Sequence, residues 1–276
     1  MESNNLLLRT KHLLRLYNFF PKKRLGQNFT VNSEILHKLV SYASLTKDDV
    51  VLEVGAGFGF LTQLLSKKCK KVIAFEVDPQ LIDFLKKQLN NFQNVELIER
   101  DILKVSLPEF NKVVAAPPYS ISSPLLFRLL ERKFDSAFLI FQKEFAERLA
   151  GSVGTKDYGR LTVNIYYRAK VELLDYVSRT MFYPPPDVDS IMVRLKPRTP
   201  PFHVEDEKTF FDLVRILFTQ RNKKVRNALI PFLRKRELTK KETTELADST
   251  IFSEKRVREL APEDFGILTS ELLRTF

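Results

Sequence analysis

Residues 50–62 read VVLEVGAGFGFLT: a short apolar run enters glycines at 55, 57 and 59, and helix-forming residues follow. A buried strand that feeds a glycine turn and then a helix is the opening unit of a parallel α/β sheet. Glycines at that turn let the backbone approach a ligand at the carboxyl end of the strand. The next apolar run, VIAFEVD, contains Glu76, about 20 positions on, where a carboxylate can accept hydrogen bonds from ribose hydroxyls. The spacing is G-x-G-x-G. It lacks the G-x-G-x-x-G of dinucleotide sites and the Lys-Ser/Thr of a phosphate-binding loop, so neither a pyrophosphate nor a triphosphate is favoured. S-adenosylmethionine, with a ribose and no phosphate, fits best. Taken alone, the glycine turn also serves as a purely structural turn, so the rest of the chain must decide.

From Val50 to Lys196 apolar runs alternate with helix-like stretches: VVLEV then FLTQLLSKK, VIAFEVD then QLIDFLKKQL, VELIERD, KVVAAPPY then SPLLFRLLERK, and SAFLIFQ then KEFAERLAG. That alternation predicts a doubly wound sheet wrapped by helices, a Rossmann-like α/β class. LTVNIYYRAKVELLDYV and SIMVRLKP read as strands that finish the sheet, the last two as an antiparallel pair. Pro197–Pro201 (PRTPP) forms a proline-rich joint. Beyond it, residues 207–276 read as helices only. The expected division is therefore a ligand-binding α/β domain over 1–196, with an amino-terminal extension, and a small all-helical domain over 197–276.

The chain has 276 residues, 45 Lys plus Arg and 34 Asp plus Glu, for a net charge of +11. That balance favours a polyanionic partner, with nucleic acid first. Basic side chains stand at 215, 221, 223, 224, 226, 234, 235 and 236 with no acidic residue among them, which points to RNA contact over a merely solvated helix face. Cys69 is the single cysteine, which excludes a disulfide framework and a thiolate zinc site and implies a reducing, cytoplasmic setting. No apolar stretch approaches the roughly 20 residues that span a bilayer. LLLRTKHLLRLYNFF at 6–20 reads as a docking helix, not a targeting peptide. His12, His37 and His203 are scattered, so no metal is expected, and the chain is expected to be a monomer.

Glu76 follows the second strand and Asp101 the third, so both should gather with Gly55 and Gly57 along one rim of the sheet, where ligands of open α/β sheets bind. Asp101 is placed to accept from an adenine amine, and equally to cap the following turn. The fourth strand ends in Ala115-Ala116-Pro117-Pro118-Tyr119, and Phe182-Tyr183-Pro184-Pro185-Pro186 forms a second rigid aromatic loop. Two such loops suit the clamping of a flipped base; singly, Tyr119 and Phe182 also read as aromatics at the edge of the core.

Taken in order, KKRLGQNF at 22–29, EVGAGFG at 53–59, Glu76, Asp101, the Pro-Pro-Tyr motif, the loop from Phe182 and FTQRNKKVRNAL at 218–229 resemble the KsgA family of ribosomal RNA adenine N6,N6-dimethyltransferases. KDYGRL at 156–161 is similar to its archaeal and eukaryotic branch. The resemblance covers nearly all of the chain. It implies dimethylation, with S-adenosylmethionine, of two adjacent adenosines in a hairpin loop near the 3′ end of small-subunit rRNA, within an assembling subunit. It places Gln27, Asn28 and Thr30 around the cofactor and the Gly55 loop, with Gly57, near its methionine part. Glu76 falls on the ribose and Asp101 on the adenine, with Val77, Ile102 and Ala116 also at the cofactor; Ala116 and Pro117 stand at the reacting amine, and Tyr119 and Phe182 on the target base.

One position departs from the family pattern. Asn begins its fourth-strand motif, whereas here the motif is Ala116-Pro117-Pro118-Tyr119. The adenine amino lone pair is delocalised, and an Asn side-chain oxygen helps the nitrogen become tetrahedral by accepting an N6 hydrogen. Ala116 offers no acceptor; Pro117 keeps its carbonyl. Losing one such contact costs roughly 3–4 kcal/mol, or about 100- to 1000-fold in rate, so binding with weakened turnover is expected. With every neighbouring motif intact, an inactivating substitution accounts for the alanine better than natural loss. Two rivals carry the same motifs: a large-subunit rRNA adenine methyltransferase and a non-catalytic RNA-binding assembly factor.

Overall fold

The computed structural model describes residues 2–235 and 238–275, so Arg236 of the basic run lies outside the described residues. The chain forms two compact units, Met1–Ala146 with Glu172–Pro197, and Glu147–Val171 with Arg198–Phe276.

In the first unit, helix α1 (Glu2–Leu16) ends where Asn18 takes a left-handed φ of 47°. Phe19 N–H donates to Leu14 O at 2.8 Å and Asn18 N–H to Arg15 O at 3.1 Å, the paired bonds of a Schellman cap. Strand β1 (Phe29–Thr30) and helix α2 (Ser33–Tyr42) follow, and the Asn32 side chain caps α2 by accepting from Ile35 N–H at 3.1 Å. The sheet then winds through β2 (Val50–Val54), α3 (Phe60–Ser66), β3 (Lys71–Phe75), α4 (Pro79–Gln88), β4 (Val95–Ile98), β5 (Lys112–Ala115), α5 (Ser122–Leu130) and β6 (Ser136–Gln142). After α6 (Lys143–Leu149) and α7 (Arg160–Arg168) come β7 (Ala169–Val177), the short β8 (Phe182–Tyr183) and β9 (Ser190–Pro197).

Seven strands form one sheet in the order β4-β3-β2-β5-β6-β9-β7. The pairs β2/β3, β3/β4, β2/β5 and β5/β6 are parallel, and β9 lies antiparallel to β6, from Ala137 opposite Leu195 to Gln142 opposite Ser190. Val51, Leu52, Val72, Val113, Val114 and Leu139 are buried along these strands, as expected of a sheet covered by helices on both faces. β1 and β8 make a separate two-stranded ladder, with Phe29 opposite Tyr183 and Thr30 opposite Phe182.

Two expectations need correction. LTVNIYY belongs to helix α7, not to a strand. Gly159 N–H donates to Thr162 Oγ1 at 3.1 Å as the helix begins, and Leu161 through Ile165, with Tyr167, are buried. Leu161, Val163 and Ile165 alternate with Thr162 and Asn164, so the run also carries the period of two that marks a strand, and its β-branched and aromatic residues add to that signal. The contiguous division at 196/197 also differs from the compact units, because the second unit takes in Glu147–Val171 as well. Tyr158 explains this: its hydroxyl donates to Leu260 O at 2.7 Å and its ring meets Phe218 edge-on at 5.7 Å. Tyr167 likewise packs on Phe202 and Phe210, each at 5.1 Å. The rest of this unit is α8 (Glu207–Leu217), α9 (Val225–Leu233), α10 (Lys240–Ser249) and α11 (Pro262–Thr275), built around buried Phe210, Leu229, Phe265 and Leu268.

Candidate functional site

Strand β2 is flanked by β3 on one side and β5 on the other, so chain order reverses between β2 and β5. A crevice opens outside the carboxyl ends of the strands at such a switch point. Here it is a cavity of about 310 Å³. Gly55 follows β2 with φ +78°, and a Cβ there would come within 3.2 Å of Pro118 Cδ. Both the left-handed backbone and the proline at the end of β5 therefore demand glycine.

Gln27, Asn28 and Thr30 from the β1 segment, Gly55 and Gly57 after β2, Glu76 and Val77 after β3, and Asp101 and Ile102 after β4 all line this cavity. Ala116, Pro117 and Tyr119 after β5, with Phe182 from β8, complete its wall. Every residue singled out in the sequence for cofactor or base is thus brought to one place.

Glu76 organises the glycine loop. Its Oε2 accepts from Gly57 N–H at 2.9 Å, and its Oε1 accepts from Val77 N–H at 2.8 Å and Asp78 N–H at 3.0 Å. Burial raises its pKa, and these three N–H groups oppose the rise. Three of a carboxylate's roughly four acceptor positions are therefore already used on the backbone. Asp101 Oδ1 accepts from Leu103 N–H at 2.9 Å, capping the turn, and the residue also lines the cavity.

Gln27 is a tether. Its Oε1 accepts from Lys22 N–H at 2.7 Å and its Nε2 donates to Asp78 Oδ2 at 2.7 Å, while Lys22 Nζ pairs with Asp78 Oδ1 at 2.8 Å. The amino-terminal wall is thereby fixed to the residue that donates to Glu76. Asn28 Nδ2 donates back to Gly26 O at 3.3 Å. On the far side, Tyr119 and Phe182 sit with ring centroids 6.4 Å apart at 71°, and the Tyr119 hydroxyl is hydrogen-bonded to Ser190 Oγ at 2.6 Å. Ala116 brings no polar side-chain atom to this wall.

Sequence reasoning missed Glu53, Asp78 and Ser190. Glu53 is 1% exposed, lines the cavity, and its Oε2 has no hydrogen-bond partner. Burial, opposed by the polar groups of Thr62 and reinforced by the charge of Glu76, pushes its carboxyl up to about 8. One acid in the strand VVLEV leaves the apolar pattern intact, so no periodic signal marked it. Among the described residues no cluster of His, Cys, Asp and Glu could hold a metal ion, and no helix is long and apolar enough to cross a membrane.

The second unit answers the basic run differently from its sequence. Arg215 pairs with Asp212 at 3.0 Å, Lys224 and Arg226 share Glu254 at 2.6 and 2.8 Å, and Arg221 donates to Lys156 O and Thr155 O at 2.8 and 2.7 Å. Asp212 stands one helical turn before the run, and the fold brings Glu254 to it. Lys223, Arg234 and Lys235 are exposed and form no ion pair among the described residues.

Comparison with known proteins gives this geometry a family. The ribosomal RNA adenine dimethylase model matches residues 18–265. A curated relative from Methanosarcina acetivorans, "Probable ribosomal RNA small subunit methyltransferase A", is 42% identical over 89% of this chain and 91% of its own. Its namesake from Pyrococcus furiosus is 40% identical over 92% of each. Among solved structures, a dimethyladenosine transferase from Plasmodium falciparum superposes with a TM-score of 0.75 at 32% identity, covering 88% of this chain and 96% of that one. The 23S rRNA methyltransferase ErmE does so at 0.68 and 29%, covering 89% and 99%. With its glycine loop, Glu76, Asp101 and Pro-Pro-Tyr turn facing one cavity, this chain belongs to the ribosomal RNA adenine dimethylase family.

Proposed function

We propose that this chain dimethylates N6 of two adjacent adenosines in a hairpin loop near the 3′ end of small-subunit rRNA, using S-adenosylmethionine, during subunit assembly in the cytoplasm. Family membership makes rRNA adenine dimethylation by a methyltransferase the reaction class. The small subunit is favoured by relatives of that name at about 40% identity, against 29% for the large-subunit enzyme.

The cavity suits S-adenosylmethionine on its own terms. A buried carboxyl oxygen without a partner, Glu53 Oε2, is the kind of group that a cation satisfies, and a cation would draw that carboxyl into its ionised form. Gly55 and Gly57 admit close approach to the backbone, Glu76 keeps one acceptor position for a ribose hydroxyl, and exposed Val77 offers an apolar surface for a purine. When bound, the cofactor supplies an electrophilic sulfonium methyl group.

The protein's remaining work is alignment. Tyr119 and Phe182 hold the target base, and the Pro117 carbonyl accepts one N6 hydrogen. Ala116 leaves the second hydrogen without an acceptor, so turnover is weakened. One observation carries this reading: the Ala116–Tyr119 turn at the end of β5 meets the Gly55 loop within a single cavity. Ala116→Asn is expected to raise methyl transfer to immature small subunits about 100- to 1000-fold, with cofactor affinity by calorimetry little changed. Equal incorporation by the two proteins would remove the catalytic reading of this position, and primer extension on both rRNAs reports which subunit is modified.

A further inference from the structure

Between Glu2 and Glu34 the chain has no acidic residue, yet it carries Arg9, Lys11, Arg15, Lys22, Lys23 and Arg24. Three of these cations already have work inside the protein. Lys22 pairs with Asp78, and Arg9 and Lys11 lie over the rings of Phe60 and Tyr183 at 5.1 and 5.3 Å. Arg15, Lys23 and Arg24 are exposed, and no ion pair engages them among the described residues. Phe20 stands between Arg15 and Lys23 in sequence and is 73% exposed, more than any other large apolar side chain described.

That exposure is built in by the fold. The Schellman cap fixes the chain at Asn18 and aims Phe19 inward, where its ring meets Phe29 and Phe58 at 6.1 Å each. Two residues after Phe20, Lys22 is anchored both through its ammonium on Asp78 and through its backbone N–H on Gln27. Phe20 is therefore held outward between two fixed points, and the strand of chain that holds it continues into Arg24 and Leu25 at the wall of the cavity. An exposed ring on a rigid backbone, flanked by uncompensated cations, has the make-up of a single-strand stacking site: every base has a π face, and every nucleotide carries a phosphate. A protein partner would match the apolar ring but gives no reason for the acid-free flanks.

We propose that Phe20 stacks an unpaired nucleotide of the RNA substrate next to the base taken into the cavity, with Arg15, Lys23 and Arg24 on its phosphates. This rests on the chain acting on RNA, as argued above. The test is fluorescence anisotropy with a labelled RNA hairpin bearing single-stranded flanks and the same hairpin without them. Phe20→Ala is expected to weaken binding of the flanked hairpin about tenfold and to leave the blunt hairpin, the melting temperature and S-adenosylmethionine affinity unchanged, while Phe20→Trp retains full affinity. Arg15→Ala with Lys23→Ala should lower the slope of log affinity against log salt by about 1.4, at about 0.7 per single-strand phosphate contact. Equal affinity of Phe20→Ala and the parent for flanked RNA overturns the stacking site and leaves the methyltransferase reading standing. The stacking site is overturned equally if Phe20→Ala weakens only association with immature subunits and not with RNA, which would assign the ring to a protein. A parent chain that binds neither hairpin overturns both readings.

Discussion

Glu53 is a carboxyl sealed into the cavity wall, and burial holds its pKa near 8. In the unfolded chain the same group titrates as an ordinary glutamate. Between about 4.5 and about 8 the folded protein therefore keeps a proton that the unfolded chain has released, and stability falls as pH rises through that window. Glu53→Gln reduces the slope. Its melting temperature is expected to decline less than the parent's from about pH 5 to 8, with the remainder left to Glu76, whose carboxyl burial also raises, each 1 kcal/mol being worth roughly 2–4 °C in a chain of this size; parallel declines would clear Glu53 of the effect. Cofactor affinity should show the opposite sign in the parent, increasing toward pH 8 as the carboxylate forms, and should be weaker and flat with pH in the variant. None of this was legible in VVLEV, because one acid in a buried strand leaves the apolar pattern intact. Tyr119 and Phe182 were legible because prolines mark the turns that carry them.

Elements were readable where sequence period and burial agree. β2, β5 and β6 announce themselves as apolar runs because helices cover both faces, and α4 shows a helical stripe because one face is wet. Helix α7 was misread because Leu161, Val163 and Ile165 alternate with Thr162 and Asn164, a period that suits a strand as well, and the β1/β8 ladder is too short to show any period. The turn after β2 offers a direct test of why its glycines are there. Gly55→Ala must bear a left-handed backbone and also push Pro118, 3.2 Å away, out of the turn that carries Ala116 and Tyr119. Gly154 has a similar φ of +83° with nothing within 4 Å of a new Cβ. Gly154→Ala should therefore cost about 1 kcal/mol of stability and leave cofactor binding alone, whereas Gly55→Ala should lose stability and at least about tenfold in cofactor affinity, or about 1.4 kcal/mol. Matching calorimetric affinities for the two variants would contradict the close-approach explanation.

The family came from the motifs, and its model matches residues 18–265; across the whole chain, the excess of 45 basic over 34 acidic residues favoured only a polyanionic partner. It could not say which cations are available, because Asp248 and Glu254 reach the basic run only once the helices have packed, while Asp212 pairs with Arg215 within helix α8. Removing Lys223, Arg234 and Lys235 together should flatten the salt dependence of RNA binding, since each phosphate contact contributes about 0.7 to 0.9 to the slope. Arg221→Ala should lower the melting temperature with less change in slope, because its guanidinium is spent on the carbonyls of Lys156 and Thr155; a reversed order would mean that the folded pairings do not decide availability. The pairing of Thr30 with Phe182 has a consequence for biosynthesis. As the polypeptide leaves the ribosome, the amino-terminal flank of the pocket has no mate until residue 183 has been added, so the pocket is finished only when most of the protein exists. A nascent chain halted before that point would hold every glycine of the loop and still lack a closed seat for a ligand.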